Sequence, residues 1–176
     1  MVFPVHLTRR LCALSCLIVL VPSISAAAGL HRTAQLSAAL AHEAVGAAVS
    51  TCSRSGYAVT AILVNADGVR QAMLRGDGAA VHTIDSAYAK AYTAASLAPV
   101  RKEDSTKAIF ERMSKAPGMT TAGLASLPNI NFTPGGVTVM SGSEVLGGIG
   151  VGGAPGGNFD DDCARAALEQ IRDRVR

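Results

Sequence analysis

Few side chains in this sequence have the type and spacing to do chemistry. Histidines stand at positions 6, 31, 42 and 82. His6 lies in an apolar leader and His31 shortly after it. His42 sits about 240° around a helix from Leu36, off that helix's apolar stripe. His82 directly precedes a predicted helix, whose positive end disfavours imidazolium and keeps the ring in its neutral, metal-ligating form. Position alone favours a capping role for it over a ligand role. Gly148-Ile149-Gly150-Val151-Gly152-Gly153 spells G-x-G-x-x-G, but the dinucleotide mechanism needs those glycines to turn straight from strand into helix. Here Ala154-Pro155-Gly156-Gly157-Asn158 intervenes, so a nicotinamide site is set aside. Asp160-Asp161-Asp162 are hard oxygen ligands by type. Consecutive helical residues point about 100° apart, so the three cannot converge on one ion. They read instead as first-turn acids complementing the helix dipole, with Asn158 or Asp160 as cap. The chain has no G-x-S-x-G elbow, no H-E-x-x-H and no Walker sequence, which leaves hydrolase and kinase chemistry without a basis.

The cysteines are at 12, 16, 52 and 163. Arg9-Arg10, the apolar run Leu11–Val21 broken by Pro22, and the small residues Ser25-Ala26-Ala27-Ala28 form the pattern of a secretory signal peptide over residues 1–28. The run is shorter than the roughly 20 apolar residues a membrane helix needs, so no membrane span is expected after processing. The expected destination is the periplasm, or secretion beyond it. Cys52 and Cys163 remain in the mature chain. An oxidising compartment permits them to pair. Both fall near the inner faces of predicted helices, where a buried thiol behaves as a small apolar side chain, and free thiols are the preferred reading. No Cys/His cluster exists to hold zinc.

The elements that must position these groups follow from periodicity. Residues 34–53 read as a helix with Leu36, Leu40, Ala44, Ala47 and Ala48 on one stripe, stopped near Gly56. Tyr57–Asn65 and Val69–Arg75 read as strands of a hairpin around Ala66-Asp67-Gly68. A second helix spans Thr83–Ala98, with Ile84, Ala87, Tyr88, Ala91 and Ala95 on one face, ended by Pro99. A third covers Ser105–Ser114, capped by Asp104 or Ser105. Residues 115–136 read mostly as loop. Strands Val137–Met140 and Glu144–Val151 follow, then a last helix over Asp160–Val175 with Ala164, Ala167, Leu168, Ile171 and Val175 inward. The order αββααββα, built on hairpins, predicts an α+β domain over residues 29–176 with a largely antiparallel sheet covered by helices.

Composition excludes some partners. Hydrophobic residues make up 49% and charged residues 16%, which rules out a disordered chain. The aromatic fraction is 4%, with no Trp, against a stacking platform for single strands. Removing Arg9 and Arg10 with the leader leaves 14 basic and 13 acidic groups, so no basic field suggests a nucleic acid partner. Residues 135–157 hold 10 of the 18 glycines. Glycine inside a strand costs stability, so something approaches the Gly147–Gly153 backbone closely: a helix, a second subunit or a flat ligand. That strand and the Ala-rich stripes also offer flat surfaces for self-association.

Seven stretches in order carry a family resemblance. They are Cys52-Ser53-Arg54-Ser55-Gly56-Tyr57, Val64-Asn65-Ala66-Asp67-Gly68, Arg75-Gly76-Asp77-Gly78-Ala79, His82-Thr83-Ile84-Asp85-Ser86-Ala87 and Lys90-Ala91-Tyr92-Thr93-Ala94. The last two are Gly147-Gly148-Ile149-Gly150-Val151-Gly152-Gly153-Ala154 and Asp160-Asp161-Asp162-Cys163-Ala164. Across about residues 34–175 the chain resembles the GlcG-like family, also called the haem-binding or haem-degrading domain family, in its exported single-domain branch. It departs from the family pattern at Gly136-Val137-Thr138, where a Pro is usual, at Val100, and in the polar insert Arg101-Lys102-Glu103-Asp104.

The resemblance implies haem or a related tetrapyrrole as ligand and a homo-oligomeric assembly. His82 is then the best axial ligand, with Tyr88, Tyr92 and Met73 as substitutes, since haem iron takes such groups. Arg75 and Lys90 would pair with the propionates. The ligand is expected between His82–Ala87, the Arg75–Gly78 loop and the glycine strand, where Gly148, Gly150 and Gly152 would admit a flat macrocycle and a helix start would supply N–H groups. The competing class is an enzyme that degrades haem or acts on a small organic acid. Its only neighbouring ionisable groups would be Lys90, Asp85, His82 and Arg75, and Asp85 and Lys90 are five apart, off a shared helix face. Binding without catalysis is the expectation.

Overall fold

A computed structural model of the chain describes Met1, residues 29–115 and residues 121–175. The signal peptide expected over residues 1–28 lies outside the described residues, apart from Met1. The folded unit runs Arg32–Arg176.

The sheet grows from β1 (Thr60–Asn65), whose six residues are all buried. Such a continuous buried run belongs to a strand covered on both faces. β1 pairs antiparallel with β2 (Arg70–Arg75) on one side and with β4 (Glu144–Gly152) on the other, and β3 (Gly136–Ser141) closes the far edge in the order β2-β1-β4-β3. The β1–β2 turn is tied by Asn65, whose Oδ1 accepts from the N–H of Asp67 at 3.1 Å and of Val69 at 2.9 Å. Gly68 there has φ +79° and lies so close to Tyr92 that a Cβ would come within 2.6 Å of the ring.

One layer of helices lies on each face. α1 (Ala38–Arg54) begins at Ser37, whose Oγ accepts from Leu40 N–H at 3.2 Å. It buries Ala41, Ala44, Val45, Ala48 and Cys52, a stripe rotated from the predicted one so that Leu40 and Ala47 are only half-buried. Its partner is α5 (Gly157–Ile171), which turns in Ala164, Ala167 and Ile171 and ends in a 3-10 turn at Arg172–Arg174. The opposite face carries α2 (Thr83–Val100). Pro99 does not end α2; it sits in the last turn, and the helix continues one residue further to Val100. α3 (Thr106–Lys115) is capped by Ser105, whose Oγ accepts from Ala108 N–H at 3.2 Å. A short α4 (Thr121–Ala125) occupies part of the segment expected to be loop. The α+β order is otherwise as expected.

Three expectations are corrected. Cys52 and Cys163 form a disulfide between α1 and α5, with Cα atoms 5.7 Å apart, so they are not free thiols. Periodicity places both thiols on inward faces but says nothing of which thiols meet. The cap of α5 is Gly156, ahead of both Asn158 and Asp160. Asp160 is a first-turn acid as expected, but it and Asp161 are buried.

The glycine strand is the third correction. Ala87, Ala91 and Ala95 recur every fourth residue on α2 and rest on Gly148, Gly150 and Gly152, which recur every second residue on β4. A Cβ at Gly150 would stand 2.1 Å from the Ala87 carbonyl oxygen, and one at Gly148 would stand 2.4 Å from that of Ala91. The neighbour that needs those glycines is the helix. The other face of β4 carries Ile149 and Val151, packed in the core beneath α1 and α5. Neither face has room for a macrocycle, and the surface expected to drive self-association is consumed inside the chain.

Candidate functional site: an apolar shelf between β2 and α2

α2 lies across β4, β1 and β3, and the edge strand β2 extends past it. Cross-strand partners in an antiparallel ladder project to the same face. Thr60, Ile62 and Val64 face α2: the Thr60 and Thr83 hydroxyls meet at 2.7 Å, while Ile62 and Val64 cluster with Ala87, Ala91 and Ala95. Their partners on β2 are Arg75, Met73 and Arg70. A bulge at Leu63/Val64 shifts the register, which is why Arg70 rather than Gln71 joins the other two. Met73 is 50% exposed. From α2, Ile84 and Tyr88 pack against the Ile62–Val64 cluster and border the same surface.

Each end of this shelf carries a cation. The Arg70 guanidinium lies 3.5 Å from the centroid of the Tyr88 ring, a cation–π contact. At the other end Arg75 Nε donates to the Ala79 carbonyl at 2.7 Å, joined by Nη2, and so pins the Gly76–Ala79 loop. Neither arginine forms an ion pair among the described residues. The loop leads to Val81, 75% exposed, and to His82.

His82 occupies the N-cap position of α2 but makes no capping bond with its side chain, and it is exposed. Thr83 does the local work instead, its hydroxyl lying 2.6 Å from the Ala80 carbonyl. The expected supply of free N–H groups at the helix start is also corrected. Thr83 N–H donates to Ala80 at 3.1 Å and Ile84 N–H to Val81 at 3.2 Å.

The structure thus brings Arg75, Tyr88 and Met73 to one surface, with His82 exposed at the start of α2. Tyr92 stands at the end of that surface, its ring centroid 6.1 Å from that of Tyr88 and packed beneath Gly68. The Tyr88 hydroxyl donates to the Gly68 carbonyl at 3.2 Å. Lys90 is not part of the shelf. It sits about 200° around α2 from Tyr88, is 4% exposed, and donates to Asp160 Oδ2 at 2.7 Å and to the Val151 carbonyl at 3.0 Å. Burial lifts the Asp160 carboxyl above its usual range, against the pull of the Lys90 ammonium. Lys90 cannot reach a propionate, and Gly148, Gly150 and Gly152 lie under α2. Arg70 was missed because its facing depends on a bulge, which leaves no mark in the alternation of the strand.

A partly exposed apolar surface with an arginine at each end fits a flat apolar anion, and the exposed His82 imidazole at the start of α2 is of the type that ligates a metal. No group of three His, Cys, Asp or Glu among the described residues could hold a bare metal ion. No helix among the described residues is long and apolar enough to cross a membrane.

No curated protein matches the chain. Among solved structures, a crystal structure of HbpS is 31% identical, covers 81% of this chain and 94% of its own, and superposes with a TM-score of 0.70. A double mutant of Streptomyces reticuli HbpS is 29% identical over 87% of this chain and 98% of its own, with a TM-score of 0.71. The PduOC:heme complex shares the fold at 22% identity and a TM-score of 0.67, over 78% of this chain and 96% of its own. The model of the haem-degrading protein HbpS-like family matches residues 36–169. By that match and the likeness to HbpS, the chain belongs to the HbpS-like family.

Proposed function

We propose that this chain is exported and binds haem, or a closely related tetrapyrrole, on the β2–α2 shelf without transforming it. The observation that carries this reading is the apolar surface of Met73, Ile84 and Tyr88 flanked by Arg70 and Arg75, neither of which forms an ion pair among the described residues. Family membership and the existence of a haem complex on the same fold support it. His82 would ligate the iron, Met73, Ile84 and Tyr88 would cover the apolar macrocycle, and Arg75 or Arg70 would meet the propionates. Burying apolar surface there contributes about 25 cal/mol per Å². Haem supplies a coordinating iron and a redox-active ring; this chain supplies the flat face and the charges.

Titration with haemin, followed at the Soret band, tests the reading. The wild type is expected to saturate with a shifted band, His82→Ala to alter that spectrum, and Arg70→Gln with Arg75→Gln to weaken binding roughly tenfold or more. An unchanged wild-type spectrum would refute it. Periplasmic export is tested by the N-terminal sequence of the protein recovered from that compartment, expected to start after Ala27 or Ala28.

The family's description, which concerns haem degradation, favours a second reading. Aerobic incubation of the haem-loaded protein with a reductant separates the two. Loss of the Soret band with release of iron or a bilin, faster than in a haemin–albumin control, would make the chain an enzyme.

A further inference from the structure

The small core of Ala98, Ile109 and Phe132 is open on one side. Leu97, Leu124 and Ile130 pack against it while only partly buried, and Leu127 is 50% exposed. Together with Tyr92 of α2 these side chains line a pocket of about 400 Å³. Small-molecule sites span about 300–1,000 Å³ and are mostly apolar, with a few polar groups that fix orientation.

The wall of this pocket carries no charge. None of its lining residues is an acid or a base, so an ion entering it would lose hydration without meeting a countercharge. Two polar groups on lining residues are unused: neither the Tyr92 hydroxyl nor the Asn129 side-chain amide makes a hydrogen bond among the described residues. The backbone around Asn129 is held in place. Ile130 N–H donates to the Leu127 carbonyl at 3.3 Å, and Asn131 N–H donates to the hydroxyl of the buried Thr93 at 2.9 Å. Asn129 itself has φ +64°, a left-handed conformation that few residues besides glycine and asparagine adopt. Such costly conformations recur where a ligand is clamped.

We propose that this pocket binds a small neutral compound with a flat aromatic ring and one hydrogen-bonding group. The leucines and Ile130 cover the ring, and the Tyr92 ring packs against it. The Asn129 amide both donates and accepts, and so satisfies the polar group. The site does not rest on the tetrapyrrole reading. Tyr92 borders both surfaces, but haem carries propionates and this pocket offers them no cation.

N-phenyl-1-naphthylamine, a neutral aromatic amine whose fluorescence rises in apolar surroundings, tests the site by titration into the full chain. The wild type is expected to saturate with one probe per chain. Leu127→Asp, and Ser96→Trp at an exposed position on the pocket wall, are each expected to weaken binding at least tenfold with an unchanged far-ultraviolet spectrum. Asn129→Gly keeps the left-handed backbone but removes the amide, and should weaken binding roughly three- to tenfold. Met73→Asp, on the shelf, should leave the titration unchanged. Unlabelled 1-naphthol should displace the probe at least tenfold better than 1-naphthoate. No saturable fluorescence in the wild type would overturn the site, and so would binding that Met73→Asp abolishes and both pocket variants retain. Equal displacement by naphthol and naphthoate would overturn the neutral class, and an Asn129→Gly variant that binds like wild type would overturn the role of the amide.

Discussion

Lys90 and Asp160 show how much one pair of side chains can carry at the scale of the residue. They are 70 positions apart, both buried, and they join α2 to α5. The second Asp160 oxygen accepts from Ala154 N–H at 3.0 Å, so the carboxylate also fixes the turn leading into α5. Removing one member of a buried pair leaves an uncompensated charge at a cost of about 3–5 kcal/mol. Asp160→Ala is expected to lose about that much in a urea titration. Lys90→Met should lose less, because burial already lifts Asp160 toward its neutral form. Asp104 titrates with the opposite sign. Burial raises its carboxyl, but hydrogen bonds from Arg165 and Ser105 prevail and hold it below the ordinary 3.8. A depressed folded value gives stability that is present above the unfolded value and lost as pH falls through the folded one. Melting temperatures measured from pH 6 downward should therefore decline below about pH 4, and Asp104→Asn should make that decline shallower.

Among the elements, the contact of α2 with β4 decides where a ligand can and cannot go. The alternating glycines admit the helix so closely that its carbonyls and amides touch the strand. Gly150→Ala forces a methyl into that contact, and overpacking of this kind costs about 1–3 kcal/mol. Thermal denaturation of that variant should show a clear loss, and Gly150→Val should fail to accumulate as folded protein. A Gly150→Ala variant as stable as wild type would mean that α2 stands further from the sheet. The same placement of α2 leaves the α2-facing side of β2 open. The shelf is thus a consequence of where one helix stops, and the bulge at Leu63/Val64 selects which arginines line it.

At the scale of the whole molecule, the Cys52–Cys163 disulfide closes a loop across 111 positions and ties the two helices of one layer. Losing a native disulfide from a small domain costs about 2–5 kcal/mol. The double variant Cys52→Ala, Cys163→Ala is expected to lose stability in that range, and reductant should reproduce the loss in the wild type but not in the variant. The sequence by itself determined the order of helices and strands, the hairpin at Asp67-Gly68 and the inward stripes of α2 and α5, because each is written in local periodicity or backbone preference. It also offered Arg75 and Tyr88 as candidates, and the structure sets both along the surface between β2 and α2. Only the tertiary structure decided that the glycines serve α2, that Lys90 faces Asp160, that the two thiols meet, and that Arg70 joins the shelf. Each of these depends on the register between segments far apart in sequence. Periodicity states which face of an element is buried, but the packing of the folded chain chooses the partner against which it is buried.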